Sequence, residues 1–182
     1  MPVFDTLAVI GPGLIGSSVL RRAQAEGNLV RKLIAVDQSP DVCARVAELG
    51  IADEVTTDAA AAAAQPDCVM LCVPVGAMGA VAAQVVPAMK PGAILTDVGS
   101  TKVSVIEAIR PSLRADVPYV PTHPMAGTEF SGPDAGLADL FENRWCLITP
   151  LDCTKAEALE KMRTLWERCG ARLRAMTPAP HD

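Results

Sequence analysis

The chain has 182 residues, of which 50% are hydrophobic and only 3% aromatic, and its formal net charge is −5. This length predicts a single domain with a sizeable core, built from aliphatic side chains that suit buried parallel strands. The acidic balance argues against a nucleic-acid partner, because no basic face is available to neutralise phosphates. The most apolar run, residues 68–83, is interrupted by Pro74, Gly76 and Gly79, so we expect no membrane-spanning helix.

The cysteines and histidines are too few and too scattered to predict a metal site. Six cysteines occur without a Cys-x-x-Cys pair, and the only histidines are His123 and His181. We therefore expect no bound metal. The amino terminus has no signal-peptide pattern and most cysteines lie in apolar runs, so we expect reduced thiols in a cytoplasmic protein.

Short apolar runs alternate with helical patterns over the first two thirds of the chain. They predict strands at residues 7–10, 32–37, 54–56, 68–73 and 93–96, and helices at residues 14–26, 40–49, 59–64, 77–89 and 103–113. Such alternation predicts an α/β fold with a doubly wound, mainly parallel sheet and right-handed crossovers.

The pattern changes after Tyr119. A Gly/Pro-rich loop is predicted first, and it is followed by a short helix at 137–141, a strand at 145–149, a helix at 155–169 and a last strand at 172–176. The proline-rich end, residues 177–182, predicts the start of a linker.

A glycine-rich turn follows the first predicted strand and opens the first helix. In Gly11-Pro-Gly-Leu-Ile-Gly16, Gly11 permits the tight turn, Gly13 lets a pyrophosphate approach the backbone, and Gly16 allows close packing of helix on strand. Asp37 ends the second strand at the spacing of an acid that binds the ribose hydroxyls of NAD and repels the 2′-phosphate of NADP. We therefore expect residues 1–176 to be a Rossmann-type dinucleotide-binding domain that prefers NAD to NADP. The predicted cofactor contacts in this region are Gly11, Gly13, Leu14, Ile15, Gly16 and Asp37.

The ends of two later strands supply further candidates. Val73 and Pro74 end the fourth strand, where Pro74 either forms a wall beneath the nicotinamide or simply terminates the strand. Asp97-Val-Gly-Ser-Thr-Lys102 follows the fifth strand, which places Ser100 and Lys102 at the same edge. These two side chains are candidates for contact with a polar or anionic substrate, unless Ser100 is a helix N-cap. A Ser/Lys hydrolytic dyad is disfavoured, because the dinucleotide motif already explains the site.

His123 is the strongest candidate for acid/base chemistry. Pro121 and Pro124 restrict the backbone on both sides of it, so the orientation of its imidazole is restricted as well. A histidine side chain can exchange a proton near neutral pH, as a general base must. The alternative is a loop histidine that only caps a turn.

Four motifs in order carry a resemblance to a known family. They are Gly11-Pro-Gly-Leu-Ile-Gly-Ser17, Asp97-Val-Gly-Ser-Thr-Lys102, His123-Pro-Met-Ala-Gly-Thr-Glu-Phe-Ser-Gly132 and Leu140-Phe-Glu-Asn-Arg-Trp-Cys-Leu-Ile-Thr-Pro150. In this combination the chain resembles the nucleotide-binding domain of the prephenate/arogenate (cyclohexadienyl) dehydrogenases of tyrosine biosynthesis. The string that begins at His123 and its position after Gly-Ser-x-Lys are the specific parts.

The resemblance implies an NAD-dependent oxidative decarboxylation of prephenate or arogenate. It implies that His123 accepts the proton of the ring hydroxyl, and that Ser100 lies near this histidine and the substrate hydroxyl. Ser100, Val73 and Pro74 are also predicted cofactor contacts, because they follow strands at the carboxyl edge. Lys102 and Glu129 are implied near the mouth of the substrate site.

The family continues beyond a His-Asp pair like His181-Asp182 into a helical domain that dimerises and supplies an arginine for the substrate. That domain is missing here, so we expect a fragment with weak or absent turnover, and a homodimer only when the domain is present. Two alternatives stay open: a sister NAD(P)-dependent hydroxyacid or imine dehydrogenase, and a non-catalytic NAD-sensing domain.

Overall fold

The computed structural model describes residues 1–182 and consists of a single eight-stranded sheet covered by helices on both faces. The strands are β1 Phe4–Ile10, β2 Val30–Val36, β3 Glu54–Thr56, β4 Cys68–Leu71, β5 Ile94–Asp97, β6 Tyr119–Pro124, β7 Trp145–Ile148 and β8 Arg172–Ala175. The helices are α1 Leu14–Glu26, α2 Pro40–Leu49, α3 Ala59–Ala62, α4 Met78–Val85, α5 Val103–Ile109, α6 Ala156–Arg168 and α7 Pro178–His181. Short 3₁₀ turns extend several of them, at Val75–Ala77, Val86–Ala88, Arg110–Ser112 and Pro133–Ala135.

The strand order is β3-β2-β1-β4-β5-β6-β7-β8, and every neighbouring pair is parallel except β6 with β7. This confirms the predicted doubly wound, mainly parallel sheet. The chain winds outward from β1 in one direction and from β4 in the other. A crevice therefore opens between these two strands at their carboxyl ends, which is where open α/β sheets bind ligands.

Each face of the sheet has its own apolar core. On one face, α1 and α6 cover the strands, and Trp166 packs edge-on against Phe141 with ring centroids 5.2 Å apart. On the other face, α3, α4 and α5 supply mainly alanine, valine, isoleucine and methionine. Such small aliphatic side chains allow helices to pack closely on parallel strands, as the low aromatic content indicates.

Two segments after Tyr119 differ from the predictions, and the role of a third, residues 177–182, stays a prediction. His123 lies within β6 rather than in a loop, because its strand pairs with β5 on one side and β7 on the other. The predicted helix at 137–141 is wrong: Leu140 and Glu142 donate to carbonyls three residues back, which gives successive turns. Residues 177–182, the predicted start of a linker, include the one-turn helix α7 and fold back onto the carboxyl edge of the sheet.

All six cysteines are free thiols. None of the helices has the length and apolarity needed to cross a membrane.

Candidate active site

A cleft of about 410 Å³ opens at the carboxyl edge of the sheet, where β1 and β4 diverge. It is lined by the β1–α1 turn, the end of β2 and the segment that follows β4. The lining residues are Ile10, Gly11, Gly13, Val36, Asp37, Gln38, Thr57, Ala59, Cys72, Val73, Pro74, Ala77, Val81 and Gln84. Five of the predicted cofactor-binding residues are among them: Gly11, Gly13, Asp37, Val73 and Pro74.

A side chain is excluded at two of the three glycines of the β1–α1 turn, for different structural reasons, and is tolerated by the protein at the third. Gly11 has φ +88°, and a Cβ on it would lie 3.0 Å from the carbonyl carbon of Cys72. A Cβ on Gly16 would lie 2.5 Å from the carbonyl oxygen of Gly11 and 2.9 Å from Val9 Cγ1. A Cβ on Gly13 would meet no protein atom within 4 Å. Gly11 and Gly16 are therefore required by the turn itself, whereas Gly13 leaves open backbone facing the cleft.

The start of α1 is suited to an anion. No side chain caps this helix, and the amides of Leu14, Ile15 and Gly16 donate to no protein acceptor. Three free N–H groups at the positive end of a 13-residue helix attract a phosphate. The side chains of Leu14 and Ile15 pack partly against the core and do not line the cleft.

Asp37 stands at the far end of the cleft. Its Oδ1 accepts a hydrogen bond of 2.8 Å from the amide of Ser39, which fixes the carboxylate beside the crevice. No lysine or arginine lines the cleft. An acid without a neighbouring cation favours free ribose hydroxyls over a 2′-phosphate. The cleft therefore combines free amides at the start of α1 with a carboxylate at the end of β2, the two features that a dinucleotide site needs.

A fully buried ion pair lies next to this cleft. Lys102 Nζ contacts Asp97 Oδ1, and neither side chain is exposed to solvent. The same carboxylate accepts hydrogen bonds from the amide of Gly99 (2.8 Å) and from the hydroxyl of Tyr119 (2.7 Å). Burial lowers the pKa of Lys102, and Asp97 opposes that shift. Burial, together with Asp97, raises the pKa of Tyr119. The Asp97 carboxylate thus organises the polar interior beneath the carboxyl edge.

His123 lies beside this buried pair and carries its side chain at the same edge of the sheet. It is opposite Leu147 in the antiparallel β6–β7 ladder, and its side chain is half-buried. Its Nδ1 is 2.8 Å from Nε2 of His181, with the two rings edge to face at 5.0 Å. Burial lowers the pKa of His123 to about 4, and the nearby His181 and Lys102 add to this shift. His123 is therefore an uncharged imidazole at neutral pH, as a general base must be.

The end of the chain completes this group of side chains. His181 Nδ1 is 2.7 Å from Asp182 Oδ1. The Asp182 carboxylate also accepts hydrogen bonds from the amides of Lys102 (2.6 Å) and Val103 (2.9 Å), at the start of α5. The backbone hydrogen bond from Lys102 is the main reason why the pKa of Asp182 is lowered to about 2. Asp182, and not Ser100, is thus the N-terminal cap of α5.

Comparison with known proteins places this geometry in a family. The family model described as "Prephenate dehydrogenase, nucleotide-binding domain" matches residues 20–175. The chain belongs to this family. A cyclohexadienyl dehydrogenase of Zymomonas mobilis is 43% identical over 182 residues, which is all of this chain and 61% of that protein. The chain therefore spans about six tenths of the length of that relative.

Two solved structures agree with this assignment. Prephenate dehydrogenase from Aquifex aeolicus, in complex with hydroxyphenyl propionate and NAD+, superposes with a TM-score of 0.90 at 30% identity, over 97% of this chain and 61% of that chain. Synechocystis arogenate dehydrogenase gives a TM-score of 0.88 at 29% identity, over 97% and 61%. The family match decides against the sister hydroxyacid and imine dehydrogenases.

The structure places the remaining predicted site residues at different depths. Ser100 is exposed at the carboxyl edge and makes no side-chain hydrogen bond within the protein. Glu129 lies in the exposed loop that follows β6, beside Phe130. Lys102 was predicted at the mouth of the substrate site, but its ammonium is fully buried against Asp97 and does not face that mouth.

Sequence reasoning missed four residues of the prephenate dehydrogenase domain. Asp97 and Tyr119 form the buried polar group, and His181 and Asp182 join His123 from the end of the chain. A weak signal existed for Asp97, since an acid that directly follows an apolar strand needs a buried partner. No signal in the sequence placed residues 181 and 182 beside residue 123.

Proposed function

We propose that this domain binds NAD and forms the cofactor-binding part of an enzyme that oxidatively decarboxylates prephenate or arogenate in tyrosine biosynthesis. The observation that carries the proposal is His123, an uncharged imidazole at the carboxyl edge of the sheet, the same edge that holds the dinucleotide cleft two strands away. Its Nε2 has no protein partner and is available to a substrate hydroxyl.

The cofactor assignment rests on the cleft. The free amides at the start of α1 hold the pyrophosphate, and Asp37 accepts hydrogen bonds from a ribose. The lack of a cation among the lining residues favours NAD over NADP. Val73 and Pro74 border the part of the cleft nearest to β5 and so face the nicotinamide half.

The chain's own contribution to the reaction is proton transfer and positioning. Bound NAD would supply the hydride acceptor for C4 of the substrate ring. His123 Nε2 takes the proton of the C4 hydroxyl as the carbonyl forms. The bond to the ring carboxylate then breaks and carbon dioxide leaves. The bonding electrons complete the aromatic ring and pass to the C4 oxygen, which takes the proton back from His123 as the product hydroxyl. Aromatisation supplies the driving force, and one base with correct placement is sufficient.

The exposed side chains near His123 are assigned to the substrate. Ser100 has no protein partner, so its hydroxyl is free to contact both the substrate hydroxyl and the cofactor. Glu129, on the loop after β6, is assigned to the mouth of the site. Lys102 acts through charge: its buried ammonium disfavours a protonated His123.

The substrate's carboxylate needs a cation that this edge of the domain does not present. We infer that it comes from a helical domain, present in the remaining part of the relatives, which also forms the homodimer. The loop after β6 exposes Met125 and Phe130. These two side chains give such a domain an apolar surface to contact.

Calorimetric titration of the 182-residue chain tests the cofactor assignment. We expect NAD to bind more tightly than NADP, and Asp37→Ala to weaken NAD binding by about 10- to 100-fold, because a hydrogen bond to a charged group contributes about 1.5–3 kcal/mol. Asp152→Ala, at an exposed turn, is the matched control. Unchanged NAD affinity in Asp37→Ala would show that the ribose assignment is wrong.

An NAD-sensing domain without catalysis is the second candidate, since the cleft alone fits both. Spectrophotometry of cofactor reduction, in a chain of the relatives' full length, separates the two. An enzyme reduces NAD when prephenate or arogenate is added, whereas a sensor binds NAD and reduces none of it.

A further inference from the structure

We propose that His181 and Asp182 are positioning residues that hold His123 in one tautomer, with its proton on Nδ1 and its lone pair on Nε2. The inference rests on the proposed function only in that His123 is the base of the reaction. The tautomer itself is a property of this chain, and it can be measured without turnover.

Three side chains form a continuous line of hydrogen bonds. Nδ1 of His123 lies 2.8 Å from Nε2 of His181, and Nδ1 of His181 lies 2.7 Å from Oδ1 of Asp182. The side chain of His181 is only 2% exposed, so water has little access to its ring nitrogens. The two rings meet edge to face, which keeps their ring nitrogens aligned.

The proton positions follow from the Asp182 end of this line. Asp182 accepts hydrogen bonds from two backbone amides, those of Lys102 and Val103, so it is an ionised acceptor at neutral pH. The facing nitrogen, Nδ1 of His181, must therefore carry a proton. In a neutral His181 the other nitrogen, Nε2, is then an acceptor, and Nδ1 of His123 must donate to it.

The competing arrangement has a doubly protonated His181. Its Nε2 would then donate to His123, whose lone pair would lie on Nδ1 and whose Nε2 would carry a proton. That tautomer cannot accept a proton from a substrate hydroxyl at Nε2. The charged groups that face His123 are Lys102, Asp97 and Asp182. At His123, the Lys102 ammonium opposes positive charge and the carboxylates of Asp97 and Asp182 favour it. The NMR measurement below separates the two arrangements.

The same contact explains why the tail folds back at all. Asp182 caps the start of α5, which has no cap of its own. An acid at a helix N-terminus is stabilised by the free amides and by the helix dipole. The hydrogen bonds from the α5 amides hold the Asp182 carboxylate in place. Asp182 in turn orients the ring of His181, and His181 orients the ring of His123. Residues 181 and 182 are in this way part of the base's environment.

Nitrogen-15 NMR of the 182-residue chain tests the inference directly, because only two imidazoles are present. Two-bond ¹H–¹⁵N correlations at neutral pH report which ring nitrogen is protonated, and His181→Phe assigns the remaining ring. We expect the wild-type His123 to be protonated on Nδ1. His181→Phe should convert it to a mixture of tautomers, while His181→Gln should retain the Nδ1 proton, since the amide oxygen can accept.

Asp182→Asn should also give a mixture, and Asp152→Asn is the matched control that should leave the spectrum unchanged. A wild-type His123 protonated on Nε2 overturns the inference. So does an unchanged tautomer in both His181→Phe and Asp182→Asn.

Turnover by a chain of the relatives' full length gives a second readout. We expect His181→Phe to lower kcat about 100-fold with little change in KM, and His181→Gln to restore most of it, since a general base typically contributes 10²–10⁴-fold. Unchanged kcat in His181→Phe contradicts a positioning role. If the full-length wild type reduces no cofactor while NMR gives the Nδ1 tautomer, the proposed function fails and the tautomer assignment stands.

Discussion

His123 combines two properties that rarely coincide in one histidine. Burial, with His181 and Lys102 nearby, keeps it uncharged, and yet its Nε2 makes no hydrogen bond within the protein. Burial alone would make it an ordinary core histidine. The line of contacts to His181 and Asp182 makes it an oriented base instead.

The lowered pKa of His123 can be measured by NMR titration. We expect its ring protons in the 182-residue chain to titrate with a midpoint near pH 4, below the ordinary value of 6.5. The reason is that burial and the Lys102 charge both disfavour the imidazolium. A midpoint at or above 6.5 would contradict the packing described for this side chain.

The same shift affects stability in a defined pH window. Between pH 6.5 and about 4 the unfolded chain binds a proton at residue 123 that the folded chain does not, so the free energy of unfolding falls as the pH is lowered. Asp182 acts in a separate window, because its stabilisation is present above pH 3.8 and is lost towards pH 2. Urea unfolding of wild type and His123→Gln at pH 7 and pH 4.5 tests this: the variant should lose less stability on acidification. Equal losses would refute the assignment.

The Asp97–Lys102 pair is predicted to be strongly coupled. Lys102→Met leaves the Asp97 carboxylate buried without its partner, which should cost about 3–5 kcal/mol in the free energy of unfolding. Adding Asp97→Asn to that variant should recover part of the loss, since an amide is less costly to bury than a charge. Denaturant melts of the two single variants and the double variant measure the coupling. Additive effects would contradict a direct ion pair.

At the scale of the elements, the β1–α1 turn contains one glycine that the fold requires, Gly16, and one that we assign to cofactor binding, Gly13. Gly16→Ala brings a methyl group within 2.5 Å of the Gly11 oxygen, so it should destabilise the domain. Gly13→Ala meets no protein atom, so it should leave stability within about 1 kcal/mol while weakening NAD binding, because the methyl occupies the space of the pyrophosphate. Thermal unfolding and calorimetry on both variants test this contrast. Undiminished NAD affinity in Gly13→Ala would place the pyrophosphate elsewhere.

Elements with continuous apolar patterns could be predicted from the sequence. The helix Pro40–Leu49 and the strand Glu54–Thr56 agree with the predictions to the residue, because Ser39 and Gly50 mark both ends of that helix. The segment around Leu137–Phe141 has helical spacing, but only Leu140 and Phe141 are buried and the backbone forms turns. Spacing alone does not distinguish these cases when a segment is only five residues long.

At the scale of the molecule, the topology assembles the site from distant parts of the chain. The cleft could be predicted, because the glycine turn and Asp37 follow consecutive strands whose carboxyl ends share an edge. The contact between His123 and His181, 58 residues apart, could not be predicted. The cap from Asp182 to Lys102, 80 residues apart, could not either. Both depend on how a short tail folds back, which no periodicity encodes.

The measurement that tests the central claim most directly is cofactor reduction by a chain of the relatives' full length. It is followed by absorbance with NAD and either prephenate or arogenate, in wild type and in His123→Asn. The account predicts reduction by the wild type, loss of at least about 100-fold in kcat in His123→Asn, and equal NAD affinity in both. Turnover that survives in His123→Asn would contradict the account.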